Sequence, residues 1–145
     1  EMRGGSANCS VKIANDEIGS PIINKPDILI ALNIPAFNRF EKDVKKDGLI
    51  IVCASENEIV QSRDDINYFF ITLKNLTKNI QLSFINIVAL SAMVRKTKLL
   101  KIESLILALN KLIPKNKLHM LTSNIEAIKL SAKFVFDNKN SKVFV

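Results

Sequence analysis

Two short apolar runs, separated by one helix-length segment, constrain the fold of this chain more than any other feature. The first run, Asp27–Asn33, is nearly continuous in Ile, Leu and Ala, and the second is Leu49–Cys53. Such runs are typical of strands buried on both faces of a parallel sheet. Between them, Pro35 suits the first turn of a helix that runs to about Lys46, and Asp47–Gly48 ends it. The pattern predicts a βαβ unit, because parallel strands need a crossover connection.

The segments around this unit extend the predicted sheet. Cys9–Asn15 alternates loosely between apolar and polar residues, and a turn cluster at residues 16–21 separates it from Ile22–Ile23. This arrangement favours a β-hairpin. Ile66–Leu73 is rich in β-branched and aromatic residues, which predicts a further strand.

The second half of the chain has the apolar period of helices. Leu82–Lys96 is apolar nearly all round, which predicts a central helix. A clean apolar stripe over Ile102–Ile113 predicts a second helix, stopped by Pro114, and Leu121–Val135 predicts a third. The predicted fold class is α/β: a partly parallel sheet with a β-hairpin, covered by helices, with a helical C-terminal half. The length of 145 residues fits a single domain over residues 1–145.

Composition and the first residues of the chain indicate where in the cell the protein is expected. Hydrophobic residues make up 48% of the sequence and charged residues 24%, as in ordinary globular proteins. The start is polar and carries no signal-peptide pattern. The most apolar run, Leu82–Val94, is shorter than the roughly 20 residues that span a bilayer. We therefore expect a cytoplasmic protein with no membrane span.

Charge is distributed unevenly along the chain. Residues 1–73 carry 8 basic and 11 acidic side chains, whereas residues 74–145 carry 13 basic and 3 acidic ones. A basic half can attract an anionic cofactor, an acidic partner or nucleic acid. The absence of Trp and the single tyrosine, Tyr68, leave few polar aromatics for base stacking, so we expect no nucleic-acid partner. A freestanding nucleotide- or nucleic-acid-binding α/β module is kept as the alternative function.

The residue types needed for catalysis or metal binding are scarce. His119 is the only histidine, and Cys9 and Cys53 are the only cysteines, so no zinc or iron–sulfur site is expected in this chain. We expect His119 on the surface or in a helix cap, Cys53 inert at the end of its strand, and Cys9 more exposed. Asp64–Asp65 fits a solvated loop better than a metal pair. No catalytic residue is predicted.

Two segments could contact a ligand. In Arg3–Asn8 the adjacent glycines Gly4 and Gly5 let a backbone approach closely, and Arg3 can bind phosphate or carboxylate, although a plain flexible terminus is the favoured interpretation. Asn33 closes a buried strand, where ligands bind in doubly wound folds, but a helix N-cap is favoured there.

The order of these segments resembles one family. The stretch MRGGSANCSVKIANDEIGSPIINKPDILIALNIPAFNRFE, Met2–Glu41, is similar to gamma subunits of 2-oxoacid:ferredoxin or other acceptor oxidoreductases, which show MRGGTAN, IGSP and PDVLIAMN segments. Gly48–Ser55, Asn86–Met93, Ile102–Pro114 and Asn124–Phe134 resemble later family segments. Family members begin with a strand and a GxGGQG loop before this region. The resemblance therefore implies a gamma-subunit-type domain that is N-terminally incomplete.

This resemblance also implies a function. Such complexes oxidatively decarboxylate a 2-oxoacid, form acyl-coenzyme A and pass electrons to ferredoxin or another acceptor, and 2-oxoglutarate is the preferred guess over pyruvate. Thiamine diphosphate belongs to the alpha and beta subunits and iron–sulfur clusters to the beta or delta subunits, so this chain alone is expected to bind neither. The partners implied are the alpha and beta subunits, the delta subunit where one is present, and ferredoxin or another acceptor reached through the complex. Arg3, Gly4, Gly5 and Asn8 become candidates for a coenzyme A or subunit interface.

Overall fold

Three parallel strands in the order β1-β2-β3 form the sheet of the computed structural model, which describes residues 7–72 and 84–137. The strands are β1 (Ile28–Ala31), β2 (Leu49–Val52) and β3 (Asn67–Phe70). Ile28 lies opposite Leu49 in the first pair, and Leu49 lies opposite Asn67 in the second. The predicted α/β class and the βαβ unit are confirmed.

Four α-helices accompany the sheet in the described part of the chain. They are α1 (Ile34–Phe40), α2 (Ile85–Thr97), α3 (Ile102–Leu112) and α4 (Leu118–Asp137), with 3-10 turns at Glu41–Asp43, Glu56–Glu58 and Lys115–Lys117. The predicted helical C-terminal half is confirmed, and α3 ends just before Pro114 as expected. The first residues of the predicted central helix, 82 and 83, lie outside the described residues. None of the described helices is both long and apolar enough to cross a membrane.

The central strand β2 is buried on both faces, which explains its uninterrupted apolar sequence. Because side chains alternate along a strand, Leu49 and Ile51 face one core and Ile50 and Val52 the other. The core around Leu49 and Ile51 is shared with α2 and α4. Its buried residues are Leu49, Ile51, Cys53, Phe69, Ile71, Val88, Ala89, Ala92, Ala127 and Val135. The opposite core is closed by Phe37 of α1 and by the segment between β2 and β3.

Helices α2 and α4 are joined by two buried serines. The Ser91 hydroxyl donates to the carbonyl oxygen of Ile128 at 3.1 Å, and the Ser131 hydroxyl donates to that of Val88 at 2.8 Å. Both hydroxyls are satisfied, so their burial carries no desolvation penalty for an unpaired group. Their small size lets the two helices approach closely, which positions both against the sheet.

The predicted β-hairpin is wrong in the described residues. Cys9–Asn15 and Ile22–Ile23 form no strand, and most of the segment from Ala7 to Lys25 is exposed. Its hydrogen bonds are local: Lys12 Nζ donates to the carbonyl oxygen of Ser20 at 2.7 Å. An isolated two-stranded hairpin is marginal without a sheet or helix to cover one face, and alternation in the sequence cannot supply that cover.

Helix α1 is shorter than predicted. It ends at Phe40 rather than near Lys46, and a 3-10 turn follows. The reason lies far away in sequence: the Arg63 guanidinium donates to the carbonyl oxygen of Val44 at 2.6 Å, with longer contacts to neighbouring carbonyls. An arginine that binds these carbonyls stabilises the end of a helical segment. The prediction that Asp47–Gly48 ends this helix is therefore wrong: the pair lies in the turn before β2, where Asp47 has a positive φ of 62°.

Candidate functional site

An open cleft lies beyond the carboxyl ends of β1 and β2. It has a volume of about 440 Å³, and its lining residues are Leu32, Asn33, Ile34, Pro35, Cys53, Ala54, Ser55 and Glu58. The loops after neighbouring parallel strands meet at this edge of a sheet, which is where open α/β folds bind ligands. The volume is within the range of about 300–1,000 Å³ usual for small-molecule sites, and a mostly apolar wall with a few polar groups is typical of them.

One wall of the cleft is fixed by Asn33. The backbone of Asn33 is extended. Its side-chain Oδ1 accepts a hydrogen bond from the backbone N–H of Ala36 at 2.8 Å, and its carbonyl oxygen accepts one from the backbone N–H of Phe37 at 3.1 Å. The predicted N-cap role is therefore confirmed. Pro35 follows in the first turn, where its missing N–H costs nothing. The cap holds the start of α1 directly after β1 through these two hydrogen bonds.

The opposite wall is held by Ser55 and Glu58. The Glu58 carboxylate accepts from the backbone N–H of Ser55 at 2.7 Å, and the backbone N–H of Glu58 donates to the Ser55 carbonyl at 3.0 Å. This is the acidic half of a capping box, here around a 3-10 turn. This pair was not predicted, although a Ser followed three residues later by Glu is a sequence signal of such a cap.

Cys53 is one of the lining residues, and its side chain belongs to the core shared with α2 and α4. Its side chain is 4% exposed, and burial raises the pKa of the thiol to about 12. Because the thiolate is the reactive form, a thiol with so high a pKa is a poor nucleophile at neutral pH. The predicted inertness of Cys53 agrees with this geometry, and Cys9 is exposed as expected.

Behind the cleft, the segment that connects β2 to β3 is anchored by the buried carboxylate of Glu41. Oε1 accepts from the backbone N–H of Ser62 at 3.1 Å and from the Tyr68 hydroxyl, and Oε2 accepts from the Ser62 hydroxyl at 2.6 Å. The neighbouring Arg63 forms a two-bond ion pair with Asp65, with Nε–Oδ1 and Nη2–Oδ2 distances of 2.8 and 2.7 Å. We call Glu41, Ser62, Arg63, Asp65 and Tyr68 the Glu41 cluster.

The Glu41 cluster keeps its carboxylate ionised. Burial alone would raise the pKa of Glu41, but hydrogen bonds from Ser62 and Tyr68, together with the charge of Arg63, outweigh it and lower that pKa below its ordinary value. Burial and the adjacent carboxylate raise the pKa of Tyr68, which remains a neutral donor. The cluster joins the turn after α1 to the start of β3, and so fixes the β3 end of the connection between β2 and β3.

Among the lining residues, the Glu58 carboxylate lies beside Ser55 and accepts from its backbone N–H, while Cys53 is almost fully buried. His119 lies exposed near the start of α4, in agreement with the predicted surface role. Asp65 binds Arg63 instead of pairing with Asp64 around a metal. Across residues 7–72 and 84–137, no group of three or more His, Cys, Asp or Glu side chains could hold a metal ion.

The predicted interface residues fall at the start of the chain. Arg3, Gly4 and Gly5 lie outside the described residues, and Asn8 is exposed in the segment that leads toward β1. Nothing in the described geometry brings Asn8 to the cleft. The role of these four residues stays a prediction.

Comparison with known proteins places the chain in a defined group. The family described as "Pyruvate ferredoxin/flavodoxin oxidoreductase" matches residues 1–134. The 2-oxoglutarate synthase subunit KorC of Methanocaldococcus jannaschii is 30% identical over 122 residues, covering 79% of this chain and 63% of KorC. The ketoisovalerate oxidoreductase subunit VorA of Methanothermobacter thermautotrophicus is 43% identical over 51 residues, covering 35% of this chain and 11% of VorA.

A solved structure shares the fold. The gamma subunit of a keto/oxoacid ferredoxin oxidoreductase from Geobacter sulfurreducens superposes with a TM-score of 0.65 at 23% identity, covering 77% of this chain and 64% of that one. The chain spans less than two thirds of the length of each of these relatives. Together the matches confirm the resemblance predicted from the segments of Met2–Glu41.

Proposed function

Because the chain belongs to the pyruvate ferredoxin/flavodoxin oxidoreductase family, we propose that it is the non-catalytic, gamma-type subunit of a thiamine diphosphate-dependent 2-oxoacid:acceptor oxidoreductase. The observation that carries this proposal is the family match over residues 1–134. The cleft supports it, since a mostly apolar lining with a few polar groups is typical of a ligand-binding site. In this proposal the decarboxylation and electron transfer to ferredoxin or another acceptor occur on the alpha, beta or delta subunits.

The preferred substrate in this proposal is 2-oxoglutarate. The match to KorC, named as a 2-oxoglutarate synthase subunit, covers 79% of this chain, whereas the match to VorA, named for ketoisovalerate, covers 35%. The longer match carries more weight. Pyruvate and branched-chain 2-oxoacids are the comparison substrates for any assay.

Coenzyme A is the ligand we propose for this subunit, as the acyl acceptor in the complex. The described cleft lining includes no Lys or Arg, so it fits an uncharged portion of the coenzyme better than its phosphates. Asn33 and Ser55 are the lining residues that could hydrogen-bond an amide of that portion. Arg3, with the backbone of Gly4 and Gly5 and the side chain of Asn8, is the proposed contact for a phosphate or for a neighbouring subunit.

Subunit composition tests the proposal. We expect the full-length protein, tagged and purified from its own cells, to bring down thiamine diphosphate-binding chains in near-stoichiometric amounts, identified by mass spectrometry. The control is an unrelated protein with the same tag. A chain that purifies alone would contradict the proposal. Nucleic acid released steeply by salt would instead support the alternative, a freestanding nucleic-acid-binding module.

A further inference from the structure

Helix α3 exposes an unusual amount of apolar surface. Leu109 is its only buried residue, while Leu107 and Leu112 are 62% and 77% exposed. The linker between α2 and α3, and Leu118 at the first position of α4, add further exposed side chains. We call the following the α3 surface: Leu99, Leu100, Leu107, Leu112 and Leu118, all more than half exposed. Isolated exposed leucines are ordinary, whereas two on α3 and three in the segments that flank it indicate a candidate interaction surface.

This apolar surface is embedded in positive charge. Residues 95–118 carry seven basic side chains and one acidic side chain, Glu103; one of the seven, Lys96, is buried and lies over the Phe69 ring. Lys98, Lys101, Lys111 and Lys117 are all exposed. Such a surface attracts an acidic partner and repels a second copy of itself, because a symmetric dimer would bring like charges together.

The placement of the leucines around α3 favours a groove over a flat surface. At 100° per residue, Leu107 lies nearly opposite the buried Leu109, whereas Leu112 lies on its flank, so the two do not form one stripe. A membrane surface requires a single apolar face. A partner protein can enclose a helix on several sides, as in helix-in-groove recognition. The helix has 11 residues and is about 16 Å long, which suits such a groove.

We propose that α3, with the flanking segments 98–101 and 113–118, is the element by which this chain docks onto another chain of the oxidoreductase, in an apolar groove rimmed by Asp and Glu side chains. The proposal rests on the proposed function, since it takes the partner from the same complex. Leu107, Leu112 and Leu118 enter the groove, and Lys101 and Lys111 face its acidic rim. Helix α3 packs on α2 and α4 and lies apart from the cleft lining, so docking leaves the cleft open.

Binding of purified variants to the remaining chains of the complex tests this surface. We expect Leu107→Ser to raise the dissociation constant about tenfold, as loss of an interface anchor does. We expect the double variant Lys101→Glu, Lys111→Glu to bind more weakly than the wild type. Wild-type affinity should fall as salt rises from about 50 to about 500 mM, and the affinity of the double variant should not. The matched controls are Val60→Ser, at an 87% exposed site, and Lys25→Glu with Lys42→Glu, at exposed lysines elsewhere. Both controls should bind like the wild type.

Each contrary outcome is distinguishable. If the wild type binds the other oxidoreductase chains and the α3 variants bind equally well, the docking surface is wrong and the proposed function stands. If the wild type binds none of them, the proposed function itself fails. Loss of a wild-type dimer in Leu107→Ser by light scattering, or loss of binding to phosphatidylglycerol vesicles or to RNA without loss of subunit binding, would also overturn the proposal. Unchanged thermal unfolding midpoints verify that each variant is folded.

Discussion

Replacement of Gly48 by Ala lowers the free energy of unfolding by about 3 kcal/mol, at the upper end of the cost of overpacking. An added Cβ would lie 2.6 Å from Val44 Cγ1, 2.7 Å from the carbonyl oxygen of Lys45 and 2.9 Å from that of Asp27. Two of these three neighbours are backbone atoms. They cannot move without disturbing the bonds from the Gly48 N–H to Lys45 and from the Leu49 N–H to Asp27, each 3.0 Å. The start of β2 would therefore shift.

The matched control is Gly19→Ala, the same chemical change where nothing lies within 4 Å of the added Cβ. We expect its stability to stay within about 0.5 kcal/mol of the wild type, as for ordinary surface substitutions. Urea unfolding followed by circular dichroism measures both variants. Equal midpoints for Gly48→Ala and Gly19→Ala would show that the entry to β2 is looser than the geometry indicates.

Removal of the Glu41 carboxylate has the second large effect. Glu41→Ala leaves the Ser62 N–H, the Ser62 hydroxyl and the Tyr68 hydroxyl without their acceptor. An unsatisfied buried donor costs about 1–3 kcal/mol, and the two hydroxyls can rotate toward water, so we expect a loss of about 2 kcal/mol. Glu17→Ala, at an exposed glutamate, is the control and should change little.

The same variant predicts a pH dependence. The pKa of Glu41 is lowered in the folded protein, so its contribution to stability is complete above the ordinary carboxyl pKa and is lost as pH falls through the lowered value. The stability difference between wild type and Glu41→Ala should therefore be constant near pH 7 and shrink below about pH 4. Unfolding measured at several pH values checks this. A difference that grows in acid would mean that burial, rather than the hydrogen bonds, dominates the pKa of Glu41.

Strands and helices could be predicted where the local pattern and the final environment agree. The sequence predicts buried strands at Ile28–Ala31 and Leu49–Val52 because both faces of each strand are covered. Helix α3 ends before Pro114 because proline has no N–H to donate and its ring clashes with the preceding turn. The hairpin prediction failed because the alternation of Cys9–Asn15 needs a partner to become a strand. The early end of α1 was missed because Arg63, which binds the carbonyl of Val44, is distant in sequence.

The candidate site was predictable in part for the same reason. The N-cap role of Asn33 is predictable because an Asn at the end of a strand precedes a proline in the first helical turn. The burial of Cys53 is predictable because it ends an apolar strand. Ser55 and Glu58 had a signal that was overlooked. No local pattern marks Glu41 as the acceptor for Ser62 and Tyr68, since that contact forms only when the chain between them folds back.

The most direct test of the central claim is the activity of the complex with and without this chain. We predict that the complex purified through the tagged, full-length chain reduces an electron-accepting dye only when a 2-oxoacid and coenzyme A are both present, fastest with 2-oxoglutarate. The chain alone should give no reduction, and the complex assembled without it should lose the coenzyme A-dependent rate. Full 2-oxoacid- and coenzyme A-dependent reduction by a complex lacking the chain would contradict the account.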